Sequence, residues 1–288
     1  MILPRRQFLV GGSAMAAAAL TPSAAWTQAP GTGENDLVLT GRLVQGGHAI
    51  GRTWPRALVF VDGEALTTAS ADGTFLVGFD RDAPTTTQIE VRSAAPPGRS
   101  VRQTLAIAPG RFASTRIDGL PPATIAPTDP DLLARIQREI ALKTEGFASR
   151  TDADHFSDGF IWPLERFRVS SRWGSQRVLN GTPARPHYGI DLAAPQGTPI
   201  RAPADGRVTF ARTGLHFEGG LVLIDHGQGL ITAYLHQSRL DVRAGQSIRR
   251  GERIGRVGMS GRATGPHLCW RMKWRDRNLD PSLMVETT

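Results

Sequence analysis

Three short segments in the C-terminal half hold the side chains best suited to chemistry. His187-Tyr188-Gly189-Ile190-Asp191 puts an imidazole and a carboxylate four residues apart. Tyr234-Leu235-His236 carries a second imidazole, and Gly265-Pro266-His267-Leu268-Cys269-Trp270 a third, beside the single cysteine of the chain. Imidazole, carboxylate and thiolate are the donors that zinc accepts. On a helix, positions 187 and 191 would share a face, but Gly189 between Tyr and Ile argues against a helix. On a straight strand they would share a face about 13 Å apart, too far for one ion. The chain must therefore bend, and Gly189 permits it. If Tyr234-Leu235-His236 ends a strand, Tyr234 and His236 point the same way. Alternation sends His267, Cys269 and Arg271 to one strand face and Leu268, Trp270, Met272 and Trp274 to the other, which reads as the core face. Taken singly, each segment has an ordinary structural reading: a chance His/Asp spacing, a half-buried strand histidine, a small buried cysteine.

The elements that must position these groups read as mainly β. From Phe160 to the end, Gly206–Phe210, Leu221–Ile224, Leu230–Tyr234, Ile254–Gly258 and Leu268–Trp274 are strand-like, with a turn at His226-Gly227-Gln228-Gly229. Residues 36–118 read as short strands separated by turns, with Asp62-Gly63 and Asp72-Gly73 as hairpin signals. These imply a small N-terminal β-sandwich-like domain over 36–120, whose His48 reads as a surface residue. Residues 121–159 are a linker with one helix. Asp129-Pro130-Asp131 supplies its N-cap, first-turn proline and first-turn acid, and Leu132, Leu133, Ile136 and Ile140 follow at helical spacing. About four turns ending near Gly146 bridge the halves, and residues 160–288 form the second domain. His155, His216 and His226 read as loop, rim or turn residues.

The charge is unevenly spread. The chain has a formal net charge of +8, yet residues 161–288 alone carry 19 basic and 10 acidic residues. This excess draws the C-terminal half towards an anionic polymer. One cysteine excludes an intrachain disulfide. The N-terminus reads Arg5-Arg6-Gln7-Phe8-Leu9, then an apolar run to Leu20 and small residues at Ser23-Ala24-Ala25. Residues 1–29 thus look like a twin-arginine export signal, too short in its apolar run for a comfortable membrane span. Export to the periplasm makes nucleic acid an unsuitable partner, and no stable membrane insertion is expected after signal cleavage.

Together, these segments resemble the lysostaphin/LytM-type zinc endopeptidases. The resemblance runs from about Phe160 to Leu283. It includes Ser171-Arg172-Trp173-Gly174, Ala193-Ala194-Pro195-Gln196-Gly197-Thr198-Pro199-Ile200, Asp225-His226-Gly227, Gly255-Arg256-Val257-Gly258 and Thr264-Gly265-Pro266-His267-Leu268. It implies an antiparallel β catalytic domain, hydrolysis of peptide cross-links in peptidoglycan, and zinc as cofactor. It matches His187 and Asp191 to the first two zinc ligands, and His236 and His267 to the two non-ligand active-site histidines, without saying which is the general base. Position 269 matches the third ligand, which is histidine in the family and Cys269 here. A thiolate makes the metal centre less positive, so its water is acidified less and the expected enzyme is slower or shifted to more alkaline pH. Other readings stay open for Cys269. It is a small buried residue in a site that has lost zinc, or a ligand released on oxidation. Cys269 as the nucleophile of a cysteine protease explains none of the surrounding motif. The competing function is a catalytically impaired LytM-domain wall-binding protein that regulates other cell-wall hydrolases.

Overall fold

In the computed structural model, residues 36–119 and 128–285 are described. The export signal read over residues 1–29 lies outside them. The described chain is mainly β with one α-helix, as the alternation of apolar and turn-forming residues predicts. Among the described residues, no helix is long and apolar enough to cross a membrane.

An eight-stranded sheet dominates the C-terminal half. Its centre is antiparallel: Gly219–Asp225 pairs with Leu230–Leu235, which pairs with His267–Trp274, which pairs with Ile190–Ala193. Gly206–Leu215 extends the sheet beyond Gly219–Asp225. The turn at residues 226–229 has positive φ at Gly227, Gln228 and Gly229, which is how so short a connection reverses the chain. One face of the sheet buries Leu268, Trp270, Met272 and Trp274 in the main core, as the alternation along that strand requires. The opposite face carries a smaller apolar cluster of Leu221, Leu223, Ile231, Ala233, Leu235 and Cys269.

The N-terminal half forms a three-stranded sheet (Val38–Arg42, His48–Arg52, Thr74–Gly78) and a four-stranded sheet (Glu64–Thr68, Leu58–Val61, Thr86–Arg92, Ser100–Ala106). Asp62 and Gly63 both have positive φ, the geometry of the primed turn that two-residue hairpins favour. Ala49, Phe75, Val77, Val59, Ile89 and Val91 from the two sheets share the main core. His48 is not on the surface. It is 5 % exposed, because its strand is the middle one of the three and is covered.

The described residues belong to one compact unit, and polar contacts stitch its halves together. Gln228 Nε2 donates to the Thr74 carbonyl at 2.9 Å, and Asn278 N to Asp80 Oδ2 at 2.7 Å. Ser114–Ile117 pairs in parallel with Gln176–Leu179, so the N-terminal half adds a strand to the segment just before His187. Gly46 sits against Trp173, where any Cβ would lie 2.4 Å from the indole.

The helix spans Pro130–Phe147, slightly longer than its sequence signals. The Asp129 side chain caps it, accepting from Asp131 N at 2.9 Å. It docks on the hairpin of Gly206–Leu215 and Gly219–Asp225 through three polar links. Arg135 Nη2 donates to the Gly214 carbonyl at 2.6 Å, Glu139 Oε2 accepts from His216 N at 2.8 Å, and Lys143 Nζ pairs with Glu218 Oε1 at 2.6 Å. Gly146 faces Leu223 and Phe210 with no room for a Cβ, which lets the last turn approach the sheet closely.

Candidate metal centre

The strand register brings the sequence-predicted ligands together. Asp191 lies directly opposite Cys269 in the pairing of Ile190–Ala193 with His267–Trp274. His187 precedes that strand, and the chain bends at Gly189. A Cβ at Gly189 would lie 2.7 Å from Cys269 Sγ and 2.9 Å from Arg271 Cγ. The absence of a side chain at Gly189 therefore serves packing as well as the bend. His187 is held from both sides of its backbone: Gly174 N donates to its carbonyl at 2.8 Å, and its own N–H donates to the Ser175 carbonyl at 2.9 Å.

The resulting cluster has a donor set that suits a metal. His187 Nε2 lies 3.3 Å from Asp191 Oδ1 and 3.5 Å from Cys269 Sγ. One donor atom from each residue falls within 4.8 Å of the others. Asp191 Oδ1 is buried and has no well-formed hydrogen bond, the state of an acceptor awaiting a cation. Nitrogen, oxygen and sulfur donors at this spacing fit zinc. On the far side of His187, Nδ1 meets Ser171 Oγ at 3.2 Å, the kind of outer contact that orients a ligating imidazole.

The electrostatics agree with that assignment. Burial opposes charge on His187, but the facing Asp191 carboxylate and Cys269 sulfur outweigh it and hold the imidazole well above its ordinary range. Burial alone would push the Cys269 thiol up, yet the charge of Arg271 and contacts from His187 and His236 bring it well below its ordinary value. Burial also works against the Asp191 carboxylate, and His187 outweighs it, so that carboxyl sits low. Charge on each of the three groups thus favours the opposite charge on its neighbour, and a metal would compete with a proton for the same donors.

Two further histidines face the cluster. His267 Nδ1 meets the Gly265 carbonyl at 2.8 Å, and His236 Nδ1 meets the Ser260 carbonyl at 2.8 Å. A carbonyl only accepts, so both rings carry a proton on Nδ1 and turn Nε2 towards the cluster. The ring centroids are 4.8 Å apart, and His267 Nε2 lies 3.7 Å from Asp191 Oδ1. His236 reaches this place by an unexpected route. Tyr234 does not share its side: Tyr234 is buried in the main core, with its hydroxyl 2.8 Å from Thr232 Oγ1. Simple alternation would carry His236 into the core as well. Instead the strand ends at Leu235 and His236 takes φ 65°, a left-handed turn that swings the imidazole to the opposite side. Such a conformation is strained for a non-glycine residue.

All five residues line one cleft of about 640 Å³. Its walls include Lys143, Thr144 and Phe147 of the helix, which the sequence presented only as a bridge, and Arg177, Arg185, Arg262 and Arg271. Arg262 packs over the Phe217 ring at 4.6 Å. Arg271 was legible from strand alternation as a cleft-side residue. Arg185 and Arg262 lie close in sequence to His187 and His267, whereas Arg177 and the helix residues come from segments with no local signal.

The other histidines stand apart from this cleft. His226 begins the turn expected at 226–229 and is fully buried there, with Nδ1 2.6 Å from the Asp205 carbonyl and Nε2 2.7 Å from Thr232 Oγ1. His216 stacks edge-on against Phe217, and His155 is exposed in the loop after the helix.

Residues 185–281 match the model of Peptidase family M23. The chain is 41% identical over 119 residues to the peptidoglycan DD-endopeptidase ShyA of Vibrio cholerae, covering 40% of this chain and 27% of that protein. It is 43% identical over 122 residues to the DD-carboxypeptidase/endopeptidase Mpg of Neisseria meningitidis, covering 42% and 28%. The chain thus spans about a quarter of the length of these curated relatives. A crystal structure described as a peptidase M23 from Pseudomonas aeruginosa superimposes with a TM-score of 0.65 at 29% identity, over 84% of this chain and 95% of that one.

Proposed function

Starting from a C-terminal region that matches Peptidase family M23, we propose that the protein is an exported zinc metalloendopeptidase that hydrolyses peptide cross-links of bacterial peptidoglycan. In this reading, residues 160–288 are the peptidase domain and residues 36–120 a β-domain packed beside it. The observation that carries the reading is the convergence of His187, Asp191 and Cys269 on one point, with His236 and His267 beside them in the same cleft.

His187, Asp191 and Cys269 hold the metal. When bound, it supplies Lewis-acid polarisation of the scissile carbonyl and activates a water. The chain's own residues do the rest. His236 and His267 each present an Nε2 fixed by a backbone carbonyl behind the ring. One takes the proton from the attacking water and returns it to the departing amine, and the other donates to the oxygen on which negative charge grows. His267 Nε2 lies 3.7 Å from Asp191 Oδ1, beside the ligand cluster. The arginines of the cleft favour a substrate bearing carboxylates, as wall peptides do.

The test is zinc analysis of the purified protein together with digestion of purified peptidoglycan, released muropeptides being identified by mass. Bound zinc with cleaved cross-links supports the enzyme. A protein that binds no zinc and releases no muropeptides, yet binds sacculi, is the regulatory wall-binding protein instead.

A further inference from the structure

Beyond the ligands and the two histidines, one cleft residue touches the metal cluster directly. Arg271 follows Cys269 by two positions on the same strand and so faces the same side. Its Nε donates to Cys269 Sγ at 3.4 Å. Among the described residues, that sulfur is the hydrogen-bond acceptor of its guanidinium. The nearby carboxylate of Glu218 is engaged by Lys143 at 2.6 Å, and Asp191 belongs to the ligand set. Gly189 completes the arrangement, since its missing side chain leaves the space that Cys269 Sγ and the Arg271 stem occupy.

We infer that Arg271 is a positioning residue for the metal site: its guanidinium is the fixed counter-charge and hydrogen-bond donor that compensates for a thiolate at the third ligand position. The inference rests on the proposed function, because it takes Cys269 as a ligand. A dication held by one imidazole, one carboxylate and one thiolate has no net charge, whereas a second imidazole in place of the thiolate leaves one positive charge. Arg271 against the sulfur restores that charge to the cluster. A hydrogen bond to a coordinating thiolate also draws electron density from the sulfur, so that it donates less to the metal. The expectation that a cysteine ligand alone slows the enzyme counts only the ligands. With Arg271 included, the charge near the reacting carbonyl matches that of a site with two histidines and one aspartate.

Cobalt-substituted full-length protein gives a readout that does not depend on activity, because thiolate-to-cobalt charge transfer absorbs in the near ultraviolet. The proteins to compare are the wild type, Arg271→Gln, Arg271→Lys and Cys269→His. The wild type shows the band and Cys269→His lacks it. Arg271→Gln moves it to longer wavelength, because an uncompensated sulfur gives up electron density more easily. Arg271→Lys, which keeps the charge but loses the planar donor, falls between. At equal metal loading, hydrolysis falls about tenfold in Arg271→Gln and is partly restored in Arg271→Lys, in line with the usual cost of losing an outer partner of a metal ligand. A wild-type band that stays at the same wavelength in both Arg271 variants overturns this inference and leaves the metal site standing. A cobalt-loaded wild type without any thiolate band removes Cys269 from the ligand set, and overturns both.

Discussion

Asp191 and Cys269 face each other across adjacent antiparallel strands, and that pairing defines two of the three donors before any metal is present. A pre-formed site binds the folded chain and not the unfolded one, so zinc should stabilise the fold. At a thousandfold excess over the dissociation constant the gain is about 4 kcal/mol, or on the order of 10 °C in Tm for a domain of this size. Calorimetry with and without a chelator measures it. In His187→Ala and Asp191→Asn the zinc-dependent rise should vanish. A rise that persists in both variants would place the metal elsewhere.

His236 owes its place in the cleft to a left-handed backbone, and this separates its fold role from its chemical one. Glycine adopts φ 65° without the cost of about 1–2 kcal/mol that a Cβ brings. His236→Gly should therefore be more stable than His236→Ala by about 1 kcal/mol in urea unfolding, while both lose activity equally. Equal stability of the two variants would contradict the backbone assignment.

For chemistry, His236→Ala and His267→Ala should each lower kcat by about 10²–10⁴-fold, the range for losing a general acid–base or oxyanion donor. Both variants should still bind one zinc, since neither ring belongs to the ligand cluster. Metal analysis alongside muropeptide release checks the pair. Loss of zinc in either variant would make that histidine a ligand.

The sequence was legible where periodicity is local. The core face of Leu268, Trp270, Met272 and Trp274 and the cleft face of His267, Cys269 and Arg271 follow from alternation along one strand, and the helix from its cap and spacing. The same rule failed at Tyr234 and His236, because a single left-handed residue reverses the parity and nothing in the residue type announces it. His48, expected at the surface, is buried for a related reason. Burial depends on which strands and loops close over a residue, and a lone histidine carries no periodic signal. The helix lining the cleft and the strand Ser114–Ile117 joined to Gln176–Leu179 are long-range contacts that no local pattern encodes.

Gly189 offers a steric test of the metal cluster. An added methyl must displace Cys269 Sγ or the Arg271 stem, both of which it would approach within 3 Å. Gly189→Ala should cost about 1–3 kcal/mol, as overpacking does, and weaken zinc binding by at least tenfold. Thermal unfolding and a competition titration with a chromophoric chelator read the two effects. A variant that binds zinc like the wild type would show that the cluster relaxes freely.

Two histidines outside the cleft should govern acid stability. Burial, aided by Arg42, pushes His48 down to about 4, and burial pushes His226 down to about 4 against the pull of the Asp205 carbonyl. In the unfolded chain both return to an ordinary histidine value of about 6.5. Between these limits the unfolded chain binds protons that the folded chain refuses, so stability declines as pH falls from about 6.5 to about 4 and is insensitive to these groups above that window. Each group contributes roughly 3 kcal/mol across it, at about 1.4 kcal/mol per unit. His48 Nδ1 has no hydrogen-bond partner, so His48→Leu removes the proton site without breaking a polar contact. Urea unfolding of wild type and His48→Leu at pH 7.0, 5.5 and 4.5, values chosen to bracket the window, should show a shallower acid decline in the variant. Parallel declines would mean that His48 titrates alike in the folded and unfolded chain, and the burial argument would fail.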